Sequence, residues 1–295
     1  MGNRTGNDLS EIKENLQRAT LYEGYIVALC PFHEDGHPSF FVNETYYNCV
    51  SPSCGANGET SFLLDKISGG ESYSHTNRSP EVANPFRFWS RKYGSLEKAM
   101  QAGYATYKKF PFMMEYLLQR GITHETVKSL RIGWLDGWIT FPFFDEQKKF
   151  IGATARTTIS NAKYRNPVDQ DGNIMYVPDW DMVQNSGIIY VPFGIVDAVS
   201  LYQCGIPTLT PTFGIKANSE PFSEFRKILK IIPDKWEQKT GAMLVSKLGW
   251  RGKLLNLDWP DDCKDINDVL RMYGQSKIND LLFEDEKTII KSLGY

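Results

Sequence analysis

In the last third of the chain, short apolar runs alternate with longer stretches whose apolar residues recur at helical spacing. The runs IIYVPF (188–193), IPTLT (206–210), KIIPD (230–234) and KLLNLDW (253–259) predict strands. Between and after them, VDAVSLYQC (196–204), PFSEFRKIL (221–229), WEQKTGAMLVSKL (236–248) and DINDVLRMY (265–273) predict helices. Such alternation predicts a parallel, doubly wound sheet, because each helix returns the chain to start a parallel neighbour.

Upstream the pattern changes twice. FRFWSRKYGSLEKAM, FMMEYLLQR and HETVKSL read as helices between Pro85 and Arg131, punctuated by Gly94 and Gly121, with Thr123 placed to cap the last. WITFPFF and KKFIGATART, within 138–165, read as two strands flanking a DEQ turn. Residues 69–84, GGESYSHTNRSPEVAN, have almost no apolar content and predict a flexible linker. Before it lie a short polar helix, strands and loops, closed by the apolar helix SFLLDKISG. These divisions give a first domain over 1–69, a linker over 70–84, two parts of a core over 85–185 and 186–273, and a C-terminal tail over 274–295.

A net charge of −2 offers no global attraction for nucleic acid, so any such surface must be a local patch. No apolar run approaches the roughly 18 residues of a membrane span, and the polar N-terminus carries no secretory core, so a cytoplasmic chain with no membrane partner is expected. No P-loop is visible, which argues against a fused helicase or other NTPase module. Five cysteines without an export signal argue against a disulfide framework. Three of them fall close together with a histidine: Cys30, His33, Cys49 and Cys54, spaced C-x2-H-x15-C-x4-C. Two short-spaced pairs separated by a hairpin suit tetrahedral zinc, each pair offering two ligands from one tight knuckle. Four protein ligands leave no open position, so the role is structural, and zinc in so small a module contributes on the order of 10 kcal/mol or more to its folding. The alternative is a coincidence of free cysteines and a surface histidine. His37 lacks a knuckle, His75 lies in the linker, Cys204 reads as core and Cys263 as incidental.

The stretch LCPFHEDGHPSFFVNETYYNCVSPSCGANGETSFLLDKISG resembles the zinc ribbon of bacterial and phage DNA primases, matching its pattern at Cys30, Pro31, His33, Pro38, Ser39, Phe40, Cys49, Cys54, Gly55 and Gly58. Its second knuckle has four residues between the cysteines where that family usually has two. YLLQRGITHETVKSLRIGW (116–134) resembles the segment that opens the primase polymerase core, and FPFFDEQKKFIGATART with NAKYRNP resembles that core's strand pair. The alternating region from Ile188 is similar to the Toprim (topoisomerase-primase) fold. The implied fold class is α/β: an N-terminal zinc ribbon, a small β domain, joined by a linker to a primase core with a Toprim-like doubly wound parallel sheet.

Ligands of open α/β sheets bind beyond the carboxyl ends of the strands. Asp197 follows the first strand, Asp234 ends the third, and Asp265 and Asp268 lie beyond the fourth, so the four carboxylates are expected at one edge. Such a cluster suits Mg²⁺ or Mn²⁺ for phosphoryl transfer, with Asp197, Asp234 and Asp265 as catalytic acids and Asp234, Asp265 and Asp268 as metal ligands. Capping of the following helices is the competing role for Asp234 and Asp268. The Toprim signature implies a glutamate before the glycine and an Asp-x-Asp pair; Phe193 and Trp236 stand at two of those acidic positions. Three readings follow: a decayed site that leaves template binding, an active divergent site recruiting Glu220 or Glu237, or a shifted strand register.

Arg156, Lys163, Tyr164 and Arg165 form the basic and aromatic cluster where primases carry template surface, and are the expected nucleic-acid contacts. Two further clusters, Arg87 with Trp89, Arg91 and Lys92, and Lys108 with Lys109, read equally as solvated helix faces. The Tyr46–Tyr47 strand is either DNA-facing or core. The resemblance implies synthesis of short RNA primers on single-stranded DNA from ribonucleotides, with structural zinc and a separate replicative helicase as partner. The alternative is a catalytically inactive single-stranded-DNA-binding accessory protein; cleavage by a Toprim site is a third reading, weakened by the same missing glutamate.

Overall fold

The computed structural model describes residues 9–292 except 23–24, 35, 37, 39, 45, 50–53, 55, 61–62, 69–84, 110–113, 136–137, 157–163, 168–169, 171, 173, 213 and 215–217. The expected linker, His37, His75 and Lys163 lie outside the described residues. The chain is α/β and divides into two compact units: residues 1–85 with 136–138 and 155–165, and residues 86–135, 139–154 and 166–295.

In the first unit, α1 (Leu9–Glu14) precedes an antiparallel meander of β1 (Thr20–Tyr22), β2 (Tyr25–Ala28), β3 (Phe40–Asn43), β4 (Tyr46–Cys49) and β5 (Asn57–Glu59), followed by α2 (Leu63–Ser68). Ile12 and Leu16 from the N-terminal segment, Ile26 and Ala28 of β2, Phe40 and Val42 of β3, Tyr47 and Leu63 form its apolar core. The two-residue alternation of the strands puts these side chains on one face. Tyr47 is 2% exposed and its ring lies over Gly58, where a Cβ would meet the Tyr47 hydroxyl at 2.9 Å. Tyr47 is therefore core and not a DNA-facing residue.

The second unit opens with α3 (Pro85–Tyr93), α4 (Leu96–Lys109), α5 (Glu115–Leu118) and α6 (His124–Ser129). Thr123 caps α6 as expected, its hydroxyl accepting from the Thr126 N–H. Trp89 is fully buried against Phe86, with ring centroids 5.2 Å apart, so it offers no stacking platform. A sheet follows in the order β6 (Gly133–Leu135), β7 (Trp138–Phe144), β8 (Phe150–Arg156) and β9 (Tyr164–Arg165), then β10 (Met175–Tyr176) and α7 (Trp180–Asn185).

The last third forms the predicted parallel sheet. β11 (Ile188–Pro192) leads to α8 (Ile195–Gln203) and to β12 (Thr210–Pro211), which pairs antiparallel with β10. β13 (Ile228–Ile232), α9 (Gln238–Leu248), β14 (Gly252–Leu254) and α10 (Ile266–Ser292) follow. β11 and β13 pair in parallel from Ile188↔Ile228 to Pro192↔Ile232, and β14 adds in parallel beyond β13. On the other side of β11 the expected strand IPTLT contributes one parallel bridge, Tyr190↔Thr208. Ile189, Val191, Leu209, Leu229, Ile231 and Leu244 fill the core between the sheet and its helices.

Three elements differ from the sequence pattern. The expected helix over 221–229 is a single 3-10 turn at Glu220–Phe222 before β13. Phe222 and Phe225 are both drawn into the core, while Arg251 donates to the carbonyls of both and Lys227 to those of Val183 and Ser186. Arg251 thus satisfies two carbonyls of the segment that a helix would have paired, while Lys227 ties the segment to the end of α7. The strand expected over 253–259 stops at Leu254, because its partner β13 ends where Pro233 has no N–H to continue the ladder. The helix expected to close at Tyr273 continues after a break at Gly274 (φ 76°), a left-handed conformation that glycine adopts freely. Among the described residues no helix is long and apolar enough to cross a membrane.

Candidate metal and acidic sites

The meander's register assembles the first site. Ala28 opposes Phe40 and Phe40 opposes Cys49, so the end of β4 stands two strands away from the end of β2, and Cys30 follows β2 by two residues. His33 lies in the turn after Cys30, and Cys54 in the loop after β4. The Cys49 N–H donates to Ala56 O at 2.8 Å and closes that loop. Phe32, between the two ligands of the first knuckle, packs on Phe40 and Tyr47 with centroids 5.7 and 5.8 Å away. One donor atom from each of Cys30, His33, Cys49 and Cys54 lies within 4.8 Å of the others. Cys30 Sγ and Cys54 Sγ are 3.6 Å apart, and Cys49 Sγ and His33 Nδ1 3.9 Å. A tetrahedral zinc with bonds of about 2.0–2.3 Å requires ligand–ligand edges of about 3.3–3.8 Å; the Cys30–Cys54 pair falls in that range and the Cys49–His33 pair is slightly wider.

Electrostatics agree with a cation at this point. The Cys30 thiol is pushed far above its ordinary range by its hydrogen bond with Cys49 and by burial, and Cys54 is raised, chiefly by burial. Three packed sulfurs resist ionisation alone; a dication reverses this by bonding the thiolates. Cys204 and Cys263 are buried apart from this cluster, with Cys263 Sγ 3.9 Å from Met272 Sδ.

The second site forms at the carboxyl edge of the parallel sheet. Asp197 sits in the first turn of α8, Asp234 just beyond β13, and Asp265 and Asp268 at the start of α10. Asp197, Asp265 and Asp268 are at most 9% exposed, and Asp234 is half-buried. Burial raises Asp197 well above the carboxylate range, and Asp265 and Asp234 raise it further. Asp234 is pushed up to about 7, first by burial, then by Asp265 and Glu237. Asp265 is raised by burial and Asp268, against its hydrogen bond from the Asp268 N–H. The carboxylates are thus close enough to oppose one another's ionisation. Neither Asp234 nor Asp268 caps the helix expected of it: α9 has no side-chain cap, Asp265 takes the capping place on α10 by accepting from the Asp268 N–H, and Asp268 accepts from the preceding Lys264 N–H at 3.4 Å.

One hub orients this edge. Asn267, 1% exposed, donates through its backbone N–H to Asp197 Oδ1 at 2.9 Å. Its side chain accepts from Arg120 Nη1 (2.8 Å) and donates to Arg120 O and Ser200 Oγ (both 3.0 Å). Arg120 in turn lowers both Asp197 and Asp265. Sequence reasoning passed over Asn267 and Arg120; the QRG and DIND segments held the only signal. At Gly194 a Cβ would meet Asp197 Oδ2 at 2.5 Å, so the carboxylate folds back over a position that needs glycine.

Phe193, at the expected glutamate position, packs against the core of the sheet, and Trp236, at the expected second aspartate, is 76% exposed. Of the proposed substitute acids, Glu237 is felt by Asp234, whereas Glu220 is exposed on the 3-10 turn. Arg156, expected on the template surface, is 8% exposed with its guanidinium 4.8 Å over the Tyr164 ring, and donates to the Tyr164 hydroxyl. Burial therefore withholds Arg156 from solvent, while Arg165 and Tyr164 are half-buried.

The molecule is thus a zinc ribbon in the company of a parallel α/β core that gathers carboxylates at its strand edge. Residues 7–84 match the family described as CHC2 zinc finger. A DNA primase of Neisseria meningitidis is 25% identical across 89% of this chain and 56% of its own length. One from Rickettsia felis is 29% identical over 43% of this chain and 23% of its own length. The chain therefore spans about half the length of the Neisseria relative. The Aquifex aeolicus primase structure, comprising zinc-binding and RNA polymerase domains, superposes with a TM-score of 0.53 at 15% identity, covering 94% of this chain and 83% of that one. A DNA primase domain from Pseudomonas aeruginosa gives 0.52 at 16% identity over 67% of this chain and 77% of that one. The chain is similar to bacterial DNA primases in sequence and fold, and its residues 7–84 carry the CHC2 zinc-finger match.

Proposed function

We propose that this chain is a primase that synthesises short RNA primers on single-stranded DNA from ribonucleotides. The observation that carries the reading is the carboxylate edge: Asp197, Asp234 and Asp265 come together from three separate segments, where Asp265 raises both Asp197 and Asp234, and Asp234 raises Asp197. Such crowding is costly without a cation, and one hydrated Mg²⁺ or Mn²⁺ needs only one or two carboxylates, so the donor set fits one ion. That ion supplies polarisation of the phosphates and of the attacking hydroxyl. Asp234, the half-buried member, would be a ligand open to solvent, while the Asn267 N–H donates to Asp197 and orients its carboxylate. Asp265 and Asp268 would complete the ligand set, and Lys264, which lowers Asp234, places a positive charge beside it. Arg165, Tyr164 and Lys163 are the proposed template contacts, with Arg156 bracing Tyr164. A replicative helicase is the proposed separate partner.

A specific observation favours the second reading, an accessory protein that binds single-stranded DNA without polymerising: Phe193 and Trp236 replace two acids. Primer synthesis on a single-stranded template with Mg²⁺ or Mn²⁺ decides between them. The wild type is expected to make product and Asp234→Ala to lose it by at least 100-fold, about 2.7 kcal/mol. No product from the wild type sinks the enzyme reading, and product unaffected by the substitution sinks the site assignment.

A further inference from the structure

Between α4, the end of α6 and the β7–β8 hairpin lies a cavity of about 440 Å³, a volume in the range of small-ligand sites. None of the acids of the carboxylate edge lines it. Its wall is apolar and largely aromatic: Met100 and Tyr104 from α4, Pro142 and Phe144 from β7, and Phe150 from β8. Phe144 and Phe150 meet edge to face with centroids 6.2 Å apart, and the Tyr104 hydroxyl donates to Lys128 O at 3.3 Å, which fixes its ring. Rings held in this way offer faces and edges to a flat apolar body. Met100, 3% exposed, adds a side chain that adapts to irregular shapes.

Two cations border the cavity. The Arg131 guanidinium stands 5.2 Å over the Phe144 ring, and Lys108 Nζ stands 5.2 Å over the Tyr104 ring. Both side chains are exposed, and neither makes an ion pair among the described residues. Arg131 also follows α6 in a left-handed backbone conformation (φ 52°), where glycine is the unstrained residue. An arginine at that position carries backbone strain, and what its side chain adds is a guanidinium at the rim of the cavity. The planar guanidinium fork matches a carboxylate with two parallel hydrogen bonds. Glu97 is the one acid of the lining, so two positive charges and one negative leave a single positive charge. That balance attracts a monoanion and discriminates against a polyphosphate.

We propose that this cavity binds a small aromatic carboxylate, its flat body among Tyr104, Phe144 and Phe150 and its carboxylate on Arg131, with Lys108 as the second cation. The inference goes beyond the primase reading and does not depend on it.

The test is calorimetric titration of the zinc-loaded full chain with naphthoate, its uncharged isostere naphthamide and the dianion naphthalene dicarboxylate. Naphthoate is expected to bind once per chain, and the other two about tenfold more weakly. Arg131→Gly keeps the left-handed backbone and removes the guanidinium. It is expected to melt no lower than wild type, to bind naphthoate about tenfold more weakly and to leave naphthamide unchanged. Lys108→Gln, at an exposed position, is expected to weaken naphthoate alone. Glu97→Gln is expected to tighten the dianion. Ala105→Trp, which adds a ring from an exposed position of the lining, is expected to abolish binding of both naphthoate and naphthamide without lowering the melting temperature. The inference is overturned if naphthoate fails to bind at millimolar concentration, if naphthamide binds as tightly, or if Arg131→Gly binds naphthoate within twofold of wild type. Binding that survives Ala105→Trp overturns it too, as does equal weakening of naphthoate and naphthamide by Arg131→Gly, because the guanidinium would then be wall and not an anion partner.

Discussion

Replacing Asn267 by alanine tests whether the acidic edge is held by the hub that joins α10, α8 and the segment after α5. The side chain is 1% exposed and makes three hydrogen bonds of 2.8–3.0 Å, one of them to a guanidinium. At about 1 kcal/mol for each neutral bond and about 1.5–3 for the charged one, the loss is about 4 kcal/mol. In a unit of this size that corresponds to a fall of about 8–16 °C in the core's melting temperature. Arg271→Ala, on the same helix, serves as the contrast. Its contact with Asp268 is 3.5 Å long and Arg271 is 48% exposed, so its removal should cost below about 1 kcal/mol. Calorimetric unfolding of both variants beside wild type reads the difference. A loss below about 1 kcal/mol for Asn267→Ala would refute the reasoning, because the three bonds would then be replaced by water at no cost.

Removal of zinc is expected to unfold the first unit while the parallel core stays folded; far-ultraviolet circular dichroism during chelation, with metal release quantified at one zinc per chain, checks it. Cys49→Ala should abolish that stoichiometry, since Cys49 supplies one of four donors that meet within 4.8 Å. Asp234 titrates at about 7 in the folded chain and about 4 when unfolded, so the folded state holds the extra proton. Its contribution to metal-free stability is therefore present below about pH 4 and lost as pH rises through about 7. Melting temperatures between pH 5 and 8 should show this decline, Asp234→Asn should flatten it, and millimolar Mg²⁺ should offset it at pH 8. Gly58→Ala places a Cβ 2.9 Å from the Tyr47 hydroxyl, which also accepts from Lys66 Nζ, and should destabilise the ribbon by about 1–3 kcal/mol in chemical unfolding.

The sequence by itself determined the zinc ligands, because Cys30 with His33 and Cys49 with Cys54 are each paired along the chain and the hairpin between them is written in alternating residues. It also determined the parallel alternation, since buried strands and their crossover helices differ in period. Tertiary structure alone decided what happened at 221–229, where helical spacing yielded to Phe222 and Phe225 entering the core and to Arg251 taking up their carbonyls. It alone buried Arg156, Tyr47 and Trp89, whose types suit a template surface as well as a core. Asn267 was invisible for the same reason: its partners Arg120, Ser200 and Asp197 are at least 67 residues away in sequence, and no local pattern records a contact that the fold creates. Short-range chemistry is legible along a chain; the pairing of distant polar groups, and the exposure of Trp236 beside a carboxylate edge, are properties of the packed molecule.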